Sequence, residues 1–134
     1  MKQLNFEKNL IAWFETNKGR EIQWGIFDCA ISVFEGLSIV YGETFVSPYI
    51  WKSKKEAYKI YKKLYSATQS FIDAGFEITK RIHTGDVIVL KTPKMHTSCM
   101  VINDRITVFD EKEGLQLKKI SEIACEYTVL RRNT

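Results

Sequence analysis

Gln23-Trp24-Gly25-Ile26-Phe27-Asp28-Cys29-Ala30-Ile31-Ser32-Val33-Phe34-Glu35-Gly36-Leu37 is the stretch around which the chain is organised. An aromatic-glycine turn runs into Asp28, and Cys29 follows at the start of an apolar helix. Asp28 is a good N-cap, because its carboxylate can accept from the unpaired amides of a first turn. That places the Cys29 thiol at the positive end of a helix dipole, where its pKa is expected to fall and its thiolate fraction to rise.

The helix predicted from Asp28 continues to Tyr41, with Ile31, Phe34, Leu37 and Tyr41 at helical spacing, Val33 and Val40 widening the stripe, and Gly42 as the stop. Upstream, Phe6, Leu10, Ile11, Trp13 and Phe14 predict an amphipathic helix over 5–17, ended at Gly19. Downstream, a loop over 43–52 carries Pro48, Tyr49 and Trp51. Ser53 and Glu56 then match a capping box. Ala57, Ile60, Tyr61, Leu64, Thr68, Phe71 and Ile72 support one long helix or two short ones up to Gly75, with Lys54, Lys55, Lys59, Lys62 and Lys63 on the outer face.

From residue 76 the period changes from 3.6 to 2. Strands are predicted at 76–81, 86–91, 97–102, 105–109, 115–118 and 126–130, separated by turns at Thr84-Gly85, Pro93-Lys94, Asn103-Asp104 and Lys112-Glu113-Gly114. A helical turn is expected over 120–124 and a frayed tail over 131–134. Helices first and a small, mostly antiparallel sheet afterwards make an α+β fold of one domain over 1–134.

Composition excludes several classes. The net charge of +4 is modest and the lysines cluster, so nucleic acid is not an expected partner. No window reaches transmembrane length, so no membrane is expected. The first eight residues lack a basic start followed by an apolar run, so cytoplasmic synthesis without a signal peptide is expected. Cys29, Cys99 and Cys125, odd in number and widely spaced, match neither a disulfide framework nor a zinc knuckle. No glycine-rich phosphate loop or metal-ligand spacing occurs, and no cofactor or metal is expected.

Cys29 is then the candidate nucleophile; the alternative is a buried structural thiol. Cys99 and Cys125 lack its setting and read as core. His96, opening a strand, is the candidate general base, against a water-exposed loop histidine; His83 reads as a surface residue. Asp110, at the end of the next strand, could orient His96 or could be a solvated charge before a turn. Gln23 could offer an amide to an oxyanion beside the Cys29 N–H.

Trp24-Gly25-x-x-Asp28-Cys29 leading into a helix, Thr84-Gly85-Asp86-Val87-Ile88-Val89, and His96 opening the next strand resemble the NlpC-type cell-wall cysteine peptidases. The resemblance covers residues 10–131. It is closest to a small phage and prophage branch encoded among tail genes, whose closing aromatic-arginine strand would be Tyr127–Arg131 here. It implies a papain-like core in which the cysteine helix packs on a small antiparallel sheet, with Cys29 as nucleophile and His96 as base. It further implies a cysteine hydrolase cleaving peptidoglycan stem peptides, associated with a phage or prophage tail or virion and with tail proteins as partners. The chain departs from the peptidases at Ala30-Ile31 and Thr97-Ser98, where small residues and glycine are usual. Val108 stands where their third polar residue falls, with Thr107 and Asp110 beside it. The alternative is therefore a catalytically inactive protein of the same fold serving as a structural or adaptor part of tail assembly.

Overall fold

A computed structural model describes residues 1–47, 49–64, 66–93 and 95–132 of the 134. Pro48, Tyr65, Lys94 and the last two residues of the expected tail lie outside the described residues, as do the side chains of 62–64. The elements are α1 (Phe6–Asn17), α2 (Cys29–Tyr41), α3 (Lys54–Tyr58), a π-helical stretch (Lys59–Leu64), α4 (Ala67–Asp73), β1 (Phe76–Thr79), β2 (Val87–Lys91), β3 (His96–Ile102), β4 (Arg105–Asp110), β5 (Gly114–Lys119), a 3₁₀ turn (Ile120–Glu122) and β6 (Tyr127–Arg132). The fold is α+β. One six-stranded sheet runs β1-β6-β2-β3-β4-β5, with every neighbouring pair antiparallel.

The sheet is covered on both faces, which is why its central strands read as unbroken apolar runs. Val87 and Val89 of β2 and Met100 and Ile102 of β3 point into the core shared with Leu10, Phe14, Val33, Leu37 and Val40 of the helices. The alternate residues Ile88, Cys99 and Val101 join Ile106 and Val129 in a second cluster, against which Ile82, Ile120 and Ile123 pack. Helix α2 meets β3 closely at Gly36, where a Cβ would lie 2.9 Å from Met100 Cγ. The centre of its buried face is therefore Val33, Gly36, Leu37 and Val40. Ile31 and Phe34, expected in the stripe, are only half-buried.

Over 53–75 the interrupted form, one of the two expected, is found: Ser66 caps a new helix by accepting from the Gln69 amide at 3.0 Å. Other expectations need correction. The restart shifts the helical phase: Ala67 and Phe71 are buried and Ile72 is exposed. Ile11 and Ile78 are exposed as well. Cys99 is buried as expected, but Cys125 is only partly so. Arg131 and Arg132 belong to β6 rather than to a frayed tail.

Arg131 has a structural task. Its Nε and Nη2 donate to the two oxygens of Asp86, at 2.8 and 2.7 Å, and the carboxylate is fully buried. The His83 amide donates to the same group at 2.8 Å, and Lys2 Nζ lies 3.6 Å away. The Gly-Asp turn before β2 and the last strand are thus tied together by one bidentate pair. Removing one partner leaves a buried charge uncompensated. Arg131→Ala is expected to lose about 3 kcal/mol of unfolding free energy in urea titrations, Lys2 offsetting part of the cost.

Candidate active site

The turn before α2 is closed by two backbone bonds of 2.8 Å between Gln23 and Phe27. Gly25 sits inside it at φ +83°. Asp28 follows in extended conformation, 1 % exposed, and its carboxylate takes three donors. Oδ1 accepts from the Ile31 amide at 3.0 Å. Oδ2 accepts from the Gly25 amide at 2.9 Å and from Trp51 Nε1 at 2.7 Å. The expected N-cap is present, and its carboxylate also anchors the 43–52 loop through a buried indole. The Trp51 ring packs edge-on against Tyr61 at 5.4 Å, so the turn, the loop and the π-helical stretch are linked.

Cys29 is the first residue of α2. Its carbonyl accepts from Ser32 Oγ at 3.1 Å and from Ser98 Oγ at 3.4 Å. Ser98 lies two residues after His96, so β3 is fastened to the start of α2 beside both candidate groups. His96 ends the β2–β3 ladder opposite Lys91. Cys29 and His96, 67 positions apart in sequence, line one cavity of ≈ 20 Å³, about enough for one water. His96 Nδ1 is buried without a hydrogen-bond partner among the described residues. No hydrogen bond between the thiol and the imidazole occurs among them either. Tyr61, Ala67, Ser70 and Phe71 close the cavity, so the segment between α2 and the sheet is its cover.

The thiol does not have the depressed pKa that a helix N-terminus suggests. Burial, foremost, and the neighbouring Asp28 carboxylate push Cys29 up to about 12, while its own amide pulls weakly the other way. The residue as a whole keeps some exposure, but the sulfur is enclosed. The cap that builds the helix start places a negative charge against the thiolate, and that charge opposes the dipole.

The other candidates are placed elsewhere. The Asp110 carboxylate accepts from the Lys112 and Glu113 amides, both at 2.8 Å, and caps the β4–β5 turn. Gln23 is exposed and lines neither cavity at Cys29. His83 is exposed and bonds Asp86 through its backbone. Beyond the pairs Val101–Ile106 and Ile102–Arg105, β3 and β4 part, and the Met100 amide turns to the Thr107 hydroxyl at 2.9 Å. A cavity of ≈ 270 Å³ opens there between 97–99 and 107–109 and reaches Cys29, with Val108 in its wall. Thr107 is thus engaged by backbone, and an apolar side chain stands at the third position. Trp51, Tyr61, Phe71 and Ser98 also belong to the site, and the sequence marks them weakly: the Ser98 hydroxyl directly precedes the apolar run 99–102, and Trp51 carries an indole N–H. Tyr61 and Phe71 give no signal beyond packing.

Among the described residues no group of three His, Cys, Asp or Glu is arranged to hold a metal, and no helix is long and apolar enough to cross a membrane. A family model described as a domain of unknown function (DUF6950) matches residues 1–129. No curated protein matches the chain.

Proposed function

We propose that this chain, which belongs to the DUF6950 family, is a cysteine hydrolase of the NlpC type. The observation that carries the reading is the shared cavity of Cys29 and His96 beneath the 61–71 cover. In the reaction, Cys29 Sγ attacks an amide carbonyl of a peptidoglycan stem peptide while His96 takes the thiol proton. Collapse of the tetrahedral adduct breaks the C–N bond, and His96 returns the proton to the leaving amine. Water, deprotonated by the same imidazole, then cleaves the thioester and restores the thiol. Nδ1, without a hydrogen-bond partner among the described residues, is suited to take that proton. The shared cavity is too small for a peptide, so the reading requires Tyr61, Ala67, Ser70 and Phe71 to move aside before substrate lies between Cys29 and His96; the ≈ 270 Å³ cavity reaches Cys29 but not His96. Expression among phage or prophage tail genes and contacts with tail proteins complete the proposal.

A second reading is favoured by the pKa of about 12 and by Val108 at the third position: a protein of the same fold, without activity, serving in tail assembly. Digestion of purified peptidoglycan separates the two. New amino termini released by the wild type, and reduced to background in Cys29→Ala and His96→Ala, are the result expected of the hydrolase. Equal release, or none, from all three proteins favours the assembly role, provided the variants melt as the wild type does.

A further inference from the structure

A groove lies on the face of α2 that turns away from the sheet, and the reaction proposed above does not use it. It holds ≈ 570 Å³ between α1, α2 and residues 45–47 and 49–51, within the range of small-molecule sites. Five aromatic side chains line it: Trp13, Phe34, Phe45, Tyr49 and Trp51. At its rim Ile50 is 87 % and Val46 74 % exposed, an arrangement that leaves apolar surface open beside a concave wall.

The polar groups in this groove are few and nearly all spoken for. Ser38 Oγ donates to the Phe34 carbonyl at 2.8 Å and accepts from the Phe45 amide at 3.1 Å. Ser47 Oγ bonds the Tyr61 hydroxyl at 3.3 Å and accepts from the Tyr49 amide at 3.1 Å. Glu35 is the one charged residue among the described lining residues. Its Oε1 accepts from Trp13 Nε1 at 3.2 Å, which fixes the carboxylate, and its other oxygen has no donor among the described residues. A fixed carboxylate with spare acceptor capacity, set among aromatic faces, selects by charge. An anion would be repelled and a neutral hydrocarbon would leave the carboxylate desolvated without compensation. A cationic nitrogen would satisfy the free oxygen and gain cation–π attraction from the rings.

We infer that the groove binds a small organic ammonium, a ligand with an aliphatic or aromatic body and one cationic nitrogen directed at Glu35. The groove contains neither Cys29 nor His96, although Phe34 and Trp51 border both sites. Trp13 and Trp51 give it a built-in reporter, so intrinsic fluorescence can be titrated with hexylamine and, at equal chain length, with hexanoate. The expected result is a saturable change with hexylamine and binding at least tenfold weaker for hexanoate. Glu35→Gln, whose amide oxygen still accepts from Trp13, is expected to erase that preference. Val46→Lys, on the exposed rim, is expected to weaken hexylamine binding at least threefold without touching the core. No saturable response to hexylamine, equal affinity for the two probes, or a preference that survives both substitutions overturns the inference.

Discussion

Cys29 in the folded protein is expected to be alkylated by iodoacetamide at pH 7 about 50-fold more slowly than an unhindered cysteine, or slower still. The rise from the ordinary 9.0 to about 12 lowers the thiolate fraction roughly 1000-fold. The greater nucleophilicity of a more basic thiolate returns about 20-fold of that, and enclosure by Tyr61 and Phe71 slows access further. Site-resolved mass spectrometry across pH separates Cys29 from Cys125, which is also partly exposed. The shift comes from burial and from Asp28, opposed by the Cys29 amide, with no contribution from His96. His96→Ala is therefore expected to leave the resting rate unchanged. Phe71→Ala, which trims the cover, is expected to raise it about tenfold, and in that background loss of His96 should slow it again if the two groups form a working pair. Fast alkylation of the wild type at neutral pH would contradict the closed site. A Phe71→Ala rate indifferent to His96 would favour the assembly role. The same shift couples folding to alkali: the native thiol holds its proton more tightly than the unfolded one, so the contribution of Cys29 to stability is constant below about pH 9 and is lost as pH rises toward 12, about 4 kcal/mol in all.

Much of this was legible because the signals were local. Asp28 and Gly42 delimit α2, Ser53 starts α3, and the change of period at residue 76 marks where helices give way to strands. Two short motifs, the Gly85-Asp86 turn and the Tyr127–Arg131 strand, were each visible, but not that a buried ion pair joins them. The candidate pair was half legible. That Cys29 and His96 approach each other depends on the α2–β3 packing set at Gly36 and Met100, which matches a helix start followed by an apolar strand. The electrostatics run against the expectation from the helix start for a physical reason. A helix dipole acts through a fixed half-charge, whereas desolvation depends on what covers the sulfur. Here the cover comes from Tyr61 and Phe71, on a segment whose helical phase is reset at Ser66, a break that the periodicity allows without fixing its position. Asp110 was misleading in the opposite way. A carboxylate at the end of a strand can orient a histidine, but two turn amides next to it in sequence capture it first.

Gly25→Ala is expected to leave no cooperatively folded protein under native conditions. At φ +83° an L side chain is strained by about 1 kcal/mol, and the added Cβ would stand 2.0 Å from the Trp51 carbonyl oxygen, a backbone atom that cannot swing away. Relief requires the 49–52 loop to move, and with it the Trp51 indole that donates to Asp28 at 2.7 Å. A buried carboxylate then loses a donor, at about 1–3 kcal/mol or more for a charged group. The ring contact to Tyr61 and the burial of one of the largest core side chains go with it. Together these exceed about 5 kcal/mol, the lower end of the total stability of a domain. Asp28→Ala separates the contributions. It keeps Gly25 but removes the cap and strands the Trp51 and Gly25 donors, for an expected loss of about 4 kcal/mol in urea titration. Asp28→Asn is the informative third variant. It preserves shape and one strong acceptor, so about half of that loss is expected. It also deletes the charge that raises the Cys29 pKa, so the thiol should alkylate faster at pH 7 than in the wild type although the fold is weaker. A merely loosened turn would raise the reactivity of Cys29 in Asp28→Ala and Asp28→Asn in proportion to the stability lost. Faster alkylation in Asp28→Asn than its modest destabilisation accounts for is the signature of the carboxylate's charge acting on the sulfur. A Gly25→Ala protein that melts within a few degrees of the wild type would mean that the turn and the Trp51 loop are not packed as described.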